Sequence, residues 1–369
     1  MDKLALGQRI ADAREDAGLT QEDVSRAVGL DRSAVSRLEK GDRKLSVPEL
    51  VAVANVLGRP LAYFVAEPVP SVVSRRSDSA APHHTSRALD TELEQFAADV
   101  RSCVEMGLLA PVERNPQACT PRDHEDSERL AGQVRHRLGL GNGPVQDLGA
   151  VSEDLGLYTY SVSLGKHGPD GGCVEVGEES SALGVAVING EAAHGRRRMT
   201  LAHELGHWLC GDAYDSQASL ESEKMISSFA IHFLAPRSGV AEVWRRNSGW
   251  NTRDRALAVG ASFRLSWSAA VGQLRNLGLI SQDERRHLGR EEPKFGDYLR
   301  LRLSWDNELS SPYISPAYAS ACLNGYTSGR LTADRTVELL RGTLSAEELP
   351  RKNALEPDDY RRSFAGHDD

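Results

Sequence analysis

The sequence contains no CxxC pair, and its five cysteines (Cys103, Cys119, Cys173, Cys210, Cys322) are odd in number and widely spaced. That argues against a disulfide framework and fits reduced thiols in a cytoplasmic protein. The opening residues MDKLALGQRI lack a basic segment backed by a long apolar core, so no signal peptide is expected. The longest apolar runs, such as Ala182 to Ile188, fall far short of the roughly 18–20 residues a membrane span needs. Positive charge is not in excess either. The formal net charge is −9, so any contact with nucleic acid must come from a local basic surface. No fixed-period repeat is present. What remains is a chain of 369 residues, 40% hydrophobic and 26% charged, long enough for two or three ordinary domains.

Residues 1–66 read as one compact block of five short helices. Thr20 with Asp23 three residues on makes a capping-box start, Gly29 ends that helix, and Asp31 can cap a third running Arg32 to Glu39. Val47, Leu50, Val53, Ala54 and Leu57 form a fourth apolar stripe. Residues 67–88, rich in Pro, Ser and Ala with no periodicity, are expected to be a flexible linker. Helices are expected over Leu89–Leu109 and Glu128–Leu138, and strands over Tyr158–Val162 and Leu183–Ile188, with Gly168–Gly172 as a loop between them. Downstream, 253–280 read as two helices turning at Ser266, followed by helices near 316–324 and 332–342. The tail from 350 to 369 is charged and expected to be mobile.

The most informative stretch is RRRMTLAHELGHWLCG, residues 196–211. On a helix, His203 and His207 project from one face about 40° apart, a spacing that lets two imidazoles share one zinc ion. Leu201, Leu205, Trp208 and Leu209 supply an apolar face. Gly206 costs roughly 1 kcal/mol against Ala in a helix interior, which implies a close approach by another segment or a substrate. A catalytic zinc wants a third protein ligand and one open position. Glu223 lies three residues before Ile226 on the inward stripe of a helix running to Leu234, whereas Glu221 precedes that stripe, so Glu223 is the favoured ligand. Glu204 beside the first ligand is then the general base that moves a proton from water to the leaving amine. The strand Leu183–Ile188 could align an extended peptide by edge pairing. No oxyanion donor is legible. His194 and Tyr214 are the nearest candidates, and each fits a surface role as well.

TLAHELGH (200–207), EKMISSFAIHFLAP (223–236) and LGLGNGPVQDLGAVSEDLGL (138–157) resemble the ImmA/IrrE family of bacterial metallopeptidases over roughly residues 128–280. Ile226, Ser227 and Ala235 depart from the family pattern beside the ligand helix. The resemblance supports Glu223 as the third ligand and implies cleavage of a specific repressor-type protein, which would release stress or mobile-element genes. LTQEDVSRAVGLDRSAVSRLEKGDRKLSVPELVAVANVLG (19–58) resembles the phage-repressor, or XRE/Cro, helix-turn-helix through Gln21, Ala27, Gly29, Val35, Ser36, Glu39 and Gly41. Six basic and three acidic residues between Arg26 and Lys44 leave a local positive face. In such motifs the third helix enters the major groove, which makes Arg32, Ser33, Ser36 and Arg37 the base-edge readers. Gln21, Lys40, Arg43 and Lys44 would hold phosphates.

The expected architecture is therefore mainly α with an α+β peptidase core. A five-helix repressor-type domain (1–66) and linker (67–88) precede a zincin-like domain with a small sheet (89–252) and a helical C-terminal region (253–349). The expected cofactor is Zn2+, and the expected partners are operator DNA and a protein substrate, with a homodimer left open and no membrane. The competing reading is a regulator whose peptidase-like domain senses or binds without cleaving. A weaker third is a toxin–antitoxin component.

Overall fold

The computed structural model describes residues 3–59, 61–65, 74–76, 83–110, 121–177, 182–211, 220–304 and 307–352. Asp212, Tyr214 and Asp215, and the tail beyond 352, lie outside the described residues.

Five helices build the first block: α1 (Lys3–Asp16), α2 (Gln21–Val28), α3 (Arg32–Glu39), α4 (Val47–Val56) and α5 (Leu61–Val65). The Thr20 capping box forms as expected, with Thr20 and Asp23 exchanging side-chain and backbone hydrogen bonds. Gly29 ends α2 at φ 74°, a left-handed conformation that suits a residue without Cβ. Ile10, Ala13, Val24, Val35, Val53 and Phe64 make a small separate core.

The rest of the described chain is organised around one sheet. Its elements in order are β1 (Ser74–Arg76), α6 (His83–Glu105), α7 (His124–Arg137), α8 (Leu148–Asp154), β2 (Leu157–Val162), β3 (Gly171–Val176) and β4 (Leu183–Asn189). After these come α9 (His194–Cys210), α10 (Leu220–Leu234), α11 (Arg237–Arg246), α12 (Thr252–Phe263), α13 (Trp267–Asn276), α14 (Gln282–Leu288) and α15 (Phe295–Arg300). The chain closes with β5 (Tyr313–Ile314), α16 (Pro316–Thr327) and α17 (Ala333–Leu339). The strand order is β1-β3-β4-β2-β5, parallel at the β2–β4 pair and antiparallel elsewhere.

Both faces of the sheet are covered, and the alternation along β4 shows how. Ala186 and Ile188 enter a core with Leu201, Leu205, Phe229 and Phe233, whereas Leu183, Val185 and Val187 enter a second core with Leu93, Phe96, Tyr318 and Leu339. Helices α9 and α10 thus cover one face, and α6, α16 and α17 the other. Ala256, Val259, Ala270 and Leu274 of α12 and α13 share the first core with α9, and Ser266 caps α13, as the turn expected at that position requires.

Three expectations are corrected. Segment 67–88 is not wholly a connector, because Ser74–Arg76 pairs with β3 and α6 begins at His83. Gly171 and Gly172, read as loop, open strand β3; a Cβ on Gly171 would lie 2.6 Å from the Val187 carbonyl oxygen, so close pairing selects glycine there. Leu183–Ile188 is no edge, since β3 and β2 flank it on both sides and leave no backbone groups for a peptide.

Candidate metal centre and nucleic-acid interface

Helix α9 is buried along almost its whole length. Its Arg-rich start is a clamp. Arg196 pairs with Asp170 at 2.5 Å, and Arg197 donates to the carbonyls of Gly190, Ala192 and Glu308. Arg198, fully buried, pairs with Glu308 and donates to the Val145 carbonyl at 3.0 Å. These contacts fix the helix against the β4 exit and the 307–308 strap, which decides where its later turns point.

Those turns carry His203 and His207, 2% and 1% exposed, with Nε2 atoms 3.0 Å apart. Helix α10 brings Glu223 to them. Its Oε2 lies 3.1 Å from His203 Nε2, and Oε1 lies 3.4 Å from His207 Nε2. Both imidazoles hold the Glu223 carboxyl below the usual carboxylate range, the His203 contact contributing most. Among the described residues these three form a group able to hold a metal ion, with donor atoms within 4.8 Å of one another. Tetrahedral ligation with metal–ligand bonds of about 2.0–2.1 Å would separate neighbouring donors by roughly 3.3 Å. The observed spacings of 3.0, 3.1 and 3.4 Å fit that requirement, and two imidazoles with one carboxylate suit a zinc ion that keeps an open position.

Gly206 explains how α9 and α10 come so close. A Cβ there would meet Ile226 Cγ2 and Phe229 Cδ1, each at 2.9 Å. The close approach implied by the glycine is therefore made by α10. Ile226 and Ser227, two of the departures from the family pattern, have defined places. Ile226 fills the space over Gly206, and Ser227 Oγ sits 3.3 Å from His203 Nδ1, where it orients the imidazole. Ala235 is buried in the first core.

Glu204 is fully buried on the same helix, and Cys173 of β3 directs its thiol to the Glu204 backbone oxygen at 3.7 Å. Glu221 is exposed, two residues and about 200° of helix rotation before Glu223, and is not among the three grouped side chains. His194 is ruled out as a close participant: nine residues of helix place it about 13 Å from His203. Burial, aided by Arg197, Arg198 and Arg264, pushes its pKa down to about 4.

The exposed side of Glu223 opens into a cavity of about 400 Å3 shared with His124, Lys224, Ser227 and Ser228. A neighbouring cavity of about 690 Å3 continues between α7 and α10 past Glu128, His232 and Arg237. His124 Nδ1 and Ser228 Oγ, 2.9 Å apart, stand where the two meet. Sequence reading missed His124 and His232. Each is a single histidine at no motif spacing, and only the packing of α7 on α10 brings them to the groove.

In the first block, Arg32, Ser33, Arg37, Lys40 and Lys44 are exposed and Ser36 is half-buried, while Ala34, Val35 and Leu38 hold α3 to the core. The exposed side of α3 is thus basic and continuous with Lys40. Two of the expected phosphate contacts have internal partners. Gln21 Nε2 donates to Glu39 Oε2 at 2.7 Å, joining Arg14 at that carboxylate, and Arg43 pairs with Glu49 at 2.6 Å. Among the described residues no helix is long and apolar enough to cross a membrane.

No curated protein matches the chain. Two solved structures are similar: ComR from Streptococcus suis, at 12% identity over 92% of this chain and 93% of that one, and the apo form of the competence regulator ComR from Streptococcus vestibularis, at 11% identity over 98% of each chain. The TM-score is 0.17 in both cases. Residues 10–64 match the family model described as Helix-turn-helix, and residues 153–274 match the Peptidase M78 model described as IrrE N-terminal-like domain. The chain therefore joins an XRE-type helix-turn-helix region to an IrrE/ImmA-like Peptidase M78 region.

Proposed function

We propose that this protein is a DNA-binding regulator whose second region is a zinc-dependent endopeptidase acting on a specific repressor-type protein. The observation that carries the reading is the convergence of His203, His207 and Glu223 at 3.0–3.4 Å beside the buried Glu204. A zinc ion held by these three side chains would supply Lewis-acid chemistry toward a peptide carbonyl and water. Ser227 keeps the His203 ring in its ligating orientation. Glu204, one residue from His203 and shielded from bulk solvent, takes the proton of the attacking water and passes it to the departing amine. The groove between α7 and α10 receives substrate side chains, and its mixed charge and two histidines favour one sequence over general digestion. The α3 face reads base edges through Arg32, Ser33, Ser36 and Arg37, while Lys40 and Lys44 hold phosphates. Gln21 and Arg43 act in this reading mainly as braces of the domain.

The test separates binding from chemistry. Glu204→Gln should retain zinc at the wild-type level and lower cleavage of the cognate repressor by about 10²–10⁴-fold, because the amide cannot accept the proton. Undiminished cleavage by that variant would move the active site elsewhere.

A further inference from the structure

We propose that Cys103 and Cys322 form a redox-responsive dithiol, which a peroxide oxidises to a disulfide that fastens the C-terminal helices onto α6. The pair lies on the sheet face opposite the metal centre, and its chemistry depends on neither zinc nor peptide cleavage.

Helices α6 and α16 meet over the second core, and contacts on either side of the two cysteines fix their register. The Phe96 and Tyr318 rings pack edge to face with centroids 5.3 Å apart. Further along both segments, a Cβ on Gly325 would lie 3.0 Å from Leu108 Cδ2, and Arg330 donates to the carbonyls of Met106 and Gly107. Cys103 and Cys322 fall between these contacts. Cys103 follows Phe96 by seven residues and Cys322 follows Tyr318 by four, so each stays on the helix face that carries the ring. Both side chains are 0% exposed. They hydrogen-bond one another, with the Tyr318 hydroxyl beside both thiols.

The surroundings divide the roles. The Cys322 thiol holds the Cys103 thiol below the usual thiol range against the opposing effect of burial, and Tyr318 and Arg335 act in the same direction as Cys322. Cys103 and burial push the Cys322 thiol up. Cys103 is therefore the attacking sulfur and Cys322 the resolving one. The Cys103 thiolate attacks one oxygen of the peroxide and breaks the O–O bond; a sulfenic acid forms, and the departing hydroxide takes up the proton that Cys103 released, giving water. The Cys322 sulfur then attacks the sulfenic sulfur. Its proton leaves with the hydroxyl group as a second water, and the S–S bond forms. The two sulfurs have given up two electrons, which the peroxide has taken. The new bond closes a loop that contains both metal-bearing helices, α9 and α10, and so restricts the unfolded chain.

Hydrogen peroxide treatment of the full chain, followed by alkylation and peptide mass mapping, tests the assignment. A Cys103–Cys322 disulfide should form at least about tenfold faster than Cys173 or Cys210, each buried elsewhere, is oxidised, and dithiothreitol should reverse it. The disulfide-bonded chain should unfold at a higher temperature than the reduced chain. In Cys322→Ser, dimedone should trap a sulfenic acid on Cys103, whereas in Cys103→Ser it should leave Cys322 unlabelled. No 103–322 disulfide, or oxidation of the buried cysteines at one common rate, would overturn the pairing. A dimedone adduct on Cys322 in Cys103→Ser would overturn the division of roles, and a lower unfolding temperature for the disulfide form would overturn the fastening. The mapping is read on the parent chain, so a variant that misfolds leaves the test standing.

Discussion

The helix-turn-helix block and the sheet-centred body use their charged groups in opposite ways. In the first, Arg32, Arg37, Lys40 and Lys44 stand in solvent over a small apolar core, and the braced ion pairs lie at the edges of that core. In the second, His203, Glu204, His207, Arg197 and Arg198 are buried, each fixed by partners distant in sequence or by the helix that carries it. An exposed reading surface should respond to substitution gradually, one contact at a time. A buried centre made where two helices close should fail abruptly once the closure is disturbed.

The largest effect expected is at Gly206. Gly206→Val would force its side chain onto Ile226 and Phe229 and drive α10 away from α9. A loss of about 1–3 kcal/mol of stability is expected from overpacking, together with most of the bound zinc as Glu223 is withdrawn. Thermal unfolding and metal content measure the two. Full zinc occupancy with lowered stability would mean that the centre tolerates movement of α10, and the contrast with the surface block would weaken.

A smaller and more selective change is expected on α3. Arg37→Ala should cost about 1–3 kcal/mol of discrimination at one base position, whereas Lys44→Ala should weaken all sequences alike and reduce the salt slope by about one. Arg43→Ala, with its partner at Glu49, should act on domain stability more than on DNA affinity. Mobility shifts across a salt series separate the three variants. A salt slope unchanged by Lys44→Ala would remove that residue from the phosphate contacts.

The smallest effect belongs to Ser227. Ser227→Ala deletes the hydroxyl 3.3 Å from His203 Nδ1 and should lower zinc affinity roughly tenfold while leaving the fold intact. Competition with a chelator reads this directly. An unchanged affinity would show that packing alone orients the ring.

Much of the centre was legible because its parts are local. His203 and His207 are four residues apart on one helix, and the stripe from Ile226 to Phe233 fixes which end of α10 faces inward. Gly206 announced a close neighbour without saying which one, since only the fold pairs α9 with α10. The sheet was harder. Gly171–Gly172 carries no strand propensity, and its pairing with Ile188 and Val187 depends on contacts between segments distant in the chain. The same applies to Ser74–Arg76, which sits in a composition typical of a linker. Arg196 to Arg198 could not be read as clamps, because their partners Asp170, Asn307 and Glu308 lie up to about 110 residues away. Gln21 and Arg43 looked like phosphate contacts for a related reason: the sequence displays their chemistry, and only the packing shows Glu39 and Glu49 using it.

Zinc stoichiometry of the purified full-length protein, compared with Glu223→Ala and Glu221→Ala, tests the central claim most directly. The account predicts about one equivalent of zinc in the parent and in Glu221→Ala, and loss of most of it in Glu223→Ala with unchanged helical content. Equal zinc in Glu223→Ala and the parent, or loss in Glu221→Ala alone, would contradict it.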